Sequence, residues 1–139
     1  MLNLNLHRRL LSILRKLLNL EPDQFKVVRL VGSSNHLCEL LFRENEEQAS
    51  LTFQLGAVYT KAYYEMFFFH NSRASYDRKS TRDQIPFILK KLIPEISEKE
   101  NEIAVDYRAC AGQNCPFVNQ CSYVQGLREA KEANLIVGN

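Results

Sequence analysis

The placement of the cysteines constrains this chain more than any other feature of its sequence. Three of its four cysteines, Cys110, Cys115 and Cys121, fall within twelve residues, in the stretch RACAGQNCPFVNQC. The fourth, Cys38, lies more than seventy residues upstream in SSNHLCELL. If the four thiols act together, the fold must bring an early and a late segment of the chain side by side.

The start of the chain bears on the chemical state of these thiols. Basic residues interrupt the apolar residues of MLNLNLHRRLLSILRKLL, so this stretch does not read as a secretory signal. We therefore expect a cytoplasmic protein whose cysteines are reduced thiols or metal ligands rather than two disulfides. No apolar run approaches the roughly 18 residues of a membrane span, and we expect no membrane partner.

Composition and charge set the class of protein. With 139 residues, 45% hydrophobic and 24% charged, the chain is long enough to bury a core and is globular in composition. The net charge of +2 is too small to identify a partner. Its distribution is uneven, because residues 73–91 hold six Lys or Arg against two Asp, whereas 39–47 and 95–106 are acidic.

Hydrophobic periodicity predicts short strands near both ends of the chain. KVVRLV (26–31) and NLIVGN (134–139) are apolar runs of strand length. Residues 8–19 have helical spacing and are predicted to form a core helix, with a mitochondrial presequence as the alternative. The leucines that define this spacing are Leu10, Leu11, Leu14, Leu17 and Leu18.

The region between the strands is predicted to be helical. One helix is indicated by a stripe that we expect to pack in the core, formed by Tyr59, Ala62, Tyr63, Met66 and Phe67. A polar loop, NSRASYDRKSTRDQ, follows, with a helix start near Ser80 or Thr81. Pro86 and Pro94 bracket a short helix, and SYVQGLREAKEA forms another after the cysteines. The predicted class is mostly α (α+β), a helical insert between strands that suggest a larger α/β protein.

The spacing of the cysteines favours one kind of metal centre. Structural zinc sites usually take two ligands from each of two C-x₂₋₄-C turns. Here an isolated Cys38 is followed by C-x₄-C-x₅-C, without a second such turn. A [4Fe–4S] cluster needs one thiolate at each of four separate corners and accepts uneven spacing. We predict a [4Fe–4S] cluster held by all four cysteines, with zinc or four free thiols as alternatives.

The segment that contains the cysteine trio resembles a known family. CAGQNCPFVNQCSYVQGLREAKEANLIVGN is similar to the iron–sulfur segment of the XPD/DinG family of superfamily 2 DNA helicases, and most similar to the DinG branch. The C-x₄-C-x₅-C array, the REAxxA helix and a strand ending in Asn carry the likeness. LVGSSNHLC after KVVRL resembles the family segment around the first cluster cysteine. The resemblance covers about residues 26–40 and 107–139, and it assigns Cys38, Cys110, Cys115 and Cys121 as cluster ligands.

The resemblance implies a division of the chain and a function. Residues 1–37 would end a segment of the helicase motor domain, 38–121 would form the iron–sulfur domain, and 122–139 would return to the motor domain. The parent protein would be a monomeric, ATP-dependent 5′–3′ DNA helicase acting on single-stranded or forked DNA. ATP and Mg²⁺ belong only to that parent, since this chain lacks both a G-x-x-x-x-G-K-[ST] loop and a DEAH box. The chain alone is therefore expected to have no ATPase activity.

The basic stretch of the insert holds the candidate DNA contacts. Phosphate contacts are expected from Arg73, Arg78, Lys79 and Arg82, and base stacking from Tyr76. A solvated charged surface is the alternative. The chain has SSNH where the family tends to have RSNY, which removes a basic and an aromatic residue beside Cys38. His36 could tune the cluster, but an ordinary polar role is expected for it and for His70.

Overall fold

A computed structural model shows two short strands, one before and one after a set of helices in the chain. The structure describes residues 9, 12–14, 16–19, 25–48, 55–73 and 80–138, without the side chains of 47, 48 and 73. Described elements between residues 25 and 138, in chain order, are β1 (Val27–Leu30), α1 (Glu39–Gln48), α2 (Leu55–Arg73), α3 (Phe87–Leu92), α4 (Pro94–Glu102), α5 (Ser122–Lys131) and β2 (Leu135–Gly138). Single 3₁₀ turns lie at Ser33–Asn35, Arg82–Gln84 and Gly112–Asn114.

The two predicted strands are confirmed, and they pair with each other. β1 and β2 run parallel, in a register that pairs Val27 with Leu135 and Leu30 with Gly138. The Lys26 amide donates to Asn134 Oδ1 at 2.8 Å, and Lys26 Nζ lies 2.8 Å from Glu132 Oε2. Helix α5, also confirmed, packs against β1. A parallel pair whose strands lie more than a hundred residues apart makes the intervening chain one long crossover connection.

The core lies among the helices rather than at the sheet. Its largest fully buried side chains are Tyr64, Phe42, Ile96 and Ile103. The Phe42 ring lies 5.9 Å from that of Tyr64 and 5.5 Å from that of Phe68, at the contact of α1 with α2. The Tyr64 hydroxyl donates to the Ile96 carbonyl oxygen at 2.8 Å, which ties α2 to α4. Burial is the main cause that raises the pKa of Tyr64 far above its usual range.

Proline sets the boundaries of the two short helices. Pro86 precedes α3, and Pro94 is the first residue of α4, a position where the missing amide proton costs no helical hydrogen bond. The predicted short helix between these prolines is thus confirmed. The helix start expected near Ser80 or Thr81 is a 3₁₀ turn, Arg82–Gln84, which follows Thr81.

Helix α2 is confirmed, but its predicted core face is wrong in part. Tyr59 and Met66 are 60% and 72% exposed. The buried residues of α2 are instead Thr60, Tyr64 and Phe68. Tyr63 and Phe67, also in the predicted stripe, are partly buried against the core, and Ala62 is exposed. Because α2 carries apolar residues on all sides, periodicity could not select the side that packs on Phe42.

The N-terminal segment differs from its predicted role. Residues 12–14 and 16–18 are helical, in agreement with the predicted helix. Leu14, Leu17 and Leu18 are exposed, however, so the expectation of a core helix is wrong for these three side chains. Leu10 and Leu11 lie outside the described residues. Among the helices that the structure describes, none combines the length and apolar character that crossing a bilayer requires.

Candidate metal centre

The segment that leads to Cys38 is fixed between two other parts of the chain. The Leu37 amide donates to the Ser80 carbonyl oxygen at 2.8 Å, and the Cys38 amide donates to that of Ile103 at 2.8 Å. The Val105 amide donates in turn to the His36 carbonyl oxygen at 2.9 Å. These bonds place residues 36–38 as a short extended strand, so the position of Cys38 is set by long-range pairing.

Cys38 also lies directly before helix α1, which begins at Glu39. Its carbonyl oxygen accepts the first helical hydrogen bond, from the Phe42 amide at 3.1 Å. The backbone amides of Leu40 and Leu41 belong to the first turn of this helix and lie near the Cys38 thiol. Burial raises the pKa of the Cys38 thiol above its usual value, and these two amides act in the opposite direction. Amides at a helix N-terminus stabilise negative charge, which suits a sulfur that serves as a thiolate ligand.

Cys121 has the same arrangement at the start of α5. The Gln125 amide donates to the Cys121 carbonyl oxygen at 3.0 Å. Burial raises the pKa of the Cys121 thiol, and the nearby backbone amides of Val124 and Tyr123 act in the opposite direction. Cys38 and Cys121 thus occupy equivalent positions, each directly before a ten-residue helix.

The loop between α4 and α5 carries the other two cysteines. Gly112 has a φ of 56°, a left-handed conformation that glycine adopts without strain. This conformation accompanies a turn in which the Gly112 amide lies 3.4 Å from Cys110 Sγ and the Cys115 amide donates to the Gly112 carbonyl oxygen at 3.2 Å. Cys115 is buried, and Cys110 is partly exposed.

The structure brings three of the four predicted ligands to one cavity and places the fourth at a separate groove. Cys38, Cys115 and Cys121 line an enclosed cavity of about 20 Å³, whose wall includes Phe68. Cys110 lines an open groove of its own, together with Gly112, Tyr107 and Tyr123. The thiols come from two segments that the sequence separates by more than seventy residues. The Gly112 amide donates to the sulfur of Cys110 at 3.4 Å.

The fit of these thiols to a metal can be judged from their chemistry and spacing. Within the part of the chain that the structure describes, no group of three or more His, Cys, Asp or Glu is placed to hold a metal ion. The cavity between three of the thiols has room for about one water molecule. An all-sulfur donor set with amide donors suits an iron–sulfur cluster, whose ligands are thiolates. As placed, the thiols leave no room for a [4Fe–4S] cluster, and binding one would require them to move apart.

A buried histidine links the two sides of this neighbourhood. His36 is 2% exposed, and its Nδ1 atom lies 2.9 Å from Ser122 Oγ. The Ser122 hydroxyl donates to the Ser80 carbonyl oxygen at 3.3 Å, so it can accept from the imidazole. The His36 ring also lies 5.6 Å from the Tyr123 ring. Ser122 was not predicted as a site residue, although it directly follows Cys121 in the sequence.

The candidate DNA contacts are only partly described. Tyr76, Arg78 and Lys79 lie outside the described residues, as does the side chain of Arg73 at the end of α2. Arg82 Nε lies 2.5 Å from Glu100 Oε1. Its guanidinium group therefore has a carboxylate partner within the fold.

Comparisons with known proteins add no relative. No family model, curated protein or solved structure matches the chain. Function is therefore argued from the residues and their arrangement.

Proposed function

We propose that this chain binds a [4Fe–4S] cluster through Cys38, Cys110, Cys115 and Cys121, and that it is the iron–sulfur domain of an ATP-dependent DNA helicase. The proposal is supported by one observation: three of these thiols, those of Cys38, Cys115 and Cys121, line one small cavity. The Gly112 amide, which donates to Cys110 Sγ at 3.4 Å, supports a thiolate role, because such a donor favours the charged form.

The cluster would act first on the fold. Its bonds to Cys38 and to the late cysteines would join the start of α1 to the start of α5. Since binding to thiolates assembled only in the folded chain adds to folding free energy, the loaded chain should be markedly more stable than the unloaded chain. The cavity wall includes Phe68 of the core, so the site and the core are one continuous unit.

The paired strands support an insert within a larger protein. Parallel strands usually occur in sheets covered on both faces, and a two-stranded sheet is marginal by itself. β1 and β2 would be adjacent strands of a motor domain that also supplies ATP and Mg²⁺ binding. Duplex separation would use the basic stretch 73–82, whose charges match the phosphates of single-stranded DNA.

Anaerobic loading tests the cluster. Purified chain incubated with Fe²⁺, sulfide and a reductant should turn brown and hold about four irons and four sulfides per chain. Chain whose thiols were alkylated beforehand is the control and should hold none. A colourless product with one zinc per chain would indicate a zinc module. A chain that holds neither metal, and keeps its fold in chelator, would show that the cysteines are free.

Binding to single-stranded DNA tests the helicase part of the proposal. Replacing both Arg78 and Lys79 with alanine should weaken binding of a labelled oligonucleotide to the loaded chain. Each lost phosphate contact should lower the slope of log affinity against log salt concentration by about 0.7, so the pair should lower it by about 1.4. Arg29→Ala, which removes an exposed charge on β1, is the control. Equal affinities for wild type and double variant at every salt concentration would contradict the assigned contacts.

A further inference from the structure

An open groove of about 580 Å³ is lined by helix α5, the loop that carries Cys110, and strand β2. Its volume falls within the usual range of small-molecule sites. Among the described residues, none lines both this groove and the small cavity of Cys38, Cys115 and Cys121. A ligand in the groove therefore needs neither those three thiols nor a metal.

The apolar lining of this groove is open to solvent. Tyr107, Leu127 and Ile136 line it and are 60%, 37% and 48% exposed. Single exposed apolar side chains are common on protein surfaces, but a group of them around a concave surface is typical of a binding site. The Tyr123 ring, which also lines the groove, lies 5.6 Å from the buried His36 ring. This contact supports one side of the groove before any ligand binds.

The charge of the groove has one sign. Among its described lining residues, the charged ones are Arg128 and Lys131. Arg128 Nη2 donates to Gln113 Oε1 at 2.7 Å, which holds the guanidinium group beside the groove and leaves further N–H groups that can bind an anion. Glu132, next to Lys131 in the sequence, does not line the groove and pairs with Lys26 Nζ at 2.8 Å. The lining therefore favours an anion over a cation.

The spacing of the lining residues on α5 sets the length of a suitable ligand. Tyr123, Leu127 and Lys131 follow one another at intervals of four residues, so they lie along one side of the helix. From Tyr123 to Arg128 the helix rises by about 7.5 Å. A ligand of about this length can place an aromatic ring beside Tyr123 and an acidic group beside Arg128.

We propose that this groove binds a small aromatic anion. The ring of the ligand packs on the apolar lining around Tyr123, and its acidic group pairs with Arg128 and Lys131. The inference goes beyond the proposed function, because it involves neither the cluster nor DNA, and the ligand binds without covalent chemistry.

Three probes that share one ring test the charge preference. Naphthoate, naphthalenemethanol and naphthylmethylamine carry the same aromatic body with an anionic, a neutral and a cationic group. Wild type without metal should bind naphthoate about ten-fold more tightly than naphthylmethylamine, because the two cations attract one probe and repel the other. Isothermal titration calorimetry measures the affinities. Equal affinities for the three probes would overturn the proposal.

A variant of the exposed Arg128 separates charge from apolar contact. Arg128→Ala should weaken naphthoate binding several-fold and leave naphthalenemethanol binding nearly unchanged. Lys91→Ala removes an exposed cation of α3 that does not line the groove, and it should leave both affinities unchanged. The same loss of naphthoate affinity in both variants would indicate attraction by net charge alone and contradict the assigned site.

Alkylation of Cys110 locates the bound probe without any substitution. Saturating naphthoate should slow the reaction of Cys110 with iodoacetamide several-fold and leave that of Cys38 unchanged, as measured by mass spectrometry of peptides. Unchanged alkylation of Cys110, or displacement of naphthoate by an equimolar thymidine oligonucleotide, would overturn a separate site for a small ligand. Wild type that binds naphthoate but takes up no iron would contradict the proposed function and leave this inference standing.

Discussion

Phe42→Ala is expected to lower the free energy of unfolding by about 3–5 kcal/mol. The Phe42 side chain is fully buried, and its ring packs on those of Tyr64 and Phe68. Alanine would leave a cavity where α1 meets α2, in addition to losing the burial of the ring. Since domains of this size have a total stability of about 5–15 kcal/mol, the loss is a large fraction of the whole. Urea unfolding followed by circular dichroism measures it.

A neighbouring phenylalanine provides the matched control. Phe69 is 57% exposed on α2, next in sequence to the buried Phe68. Phe69→Ala should change the free energy of unfolding by no more than about 0.5 kcal/mol. Phe42→Leu keeps most of the volume and should fall between the two variants, which gives a measurable value if Phe42→Ala does not fold. Similar losses for Phe42→Ala and Phe69→Ala would contradict the assigned core.

Glu100→Ala is the second change with a large expected effect. The Glu100 carboxylate is buried, with Arg82 Nε at 2.5 Å and Lys90 Nζ at 2.6 Å. Removing it leaves two cations without their carboxylate, and breaking a buried ion pair in this way costs about 3–5 kcal/mol. Arg82 and Lys90 are 31% and 23% exposed and can regain some hydration. We therefore expect a loss near 3 kcal/mol, measured by urea unfolding.

The same helix holds an exposed acid that serves as the control. Glu102 is 54% exposed and pairs with Lys99 Nζ at 2.9 Å. Glu102→Ala should cost at most about 1 kcal/mol, and the cost should shrink further in high salt because exposed pairs are screened. A Glu100→Ala variant no less stable than Glu102→Ala would show that the buried pair contributes little net stability.

Local sequence signals predicted both strands and the helices α2, α3 and α5, whereas α1 and α4 were not predicted individually. Pro86 and Pro94 predicted the limits of the short helix because proline acts on its own backbone and on that of its neighbour. The apolar runs 26–31 and 134–139 predicted both strands. That the strands pair in parallel was not predicted, because pairing depends on contacts between segments far apart in the chain.

The buried side of each helix and the partners of charged side chains could not be predicted without the structure. In α2 the apolar residues surround the helix, and contact with Phe42 decided that Tyr64 rather than Tyr59 is buried. Arg82 was expected among phosphate contacts, and nothing local indicates that it pairs with Glu100, eighteen residues on. Acidic residues in a run such as 95–106 are usually solvated, yet Glu100 is buried.

The candidate site likewise has a part that local sequence predicts and a part that depends on long-range contacts. The spacing of Cys110, Cys115 and Cys121 is a local pattern and predicted a shared site, and the structure places Cys115 and Cys121 at one cavity. The placement of Cys38 beside them follows from the pairing of residues 36–38 with 80–81 and 103–105.

The parallel β1–β2 pair also determines how the chain would respond to tension. If residues 26 and 138 were drawn apart, the two strands would slide along each other, and their hydrogen bonds would be strained together in shear rather than opened one after another. The bond from Lys26 to Asn134 lies at the end of the same ladder and would share the strain. Resistance to such a pulling force would then arise in these strands. The cysteines, which lie between the strands in the chain, would bear no load until the strands had separated.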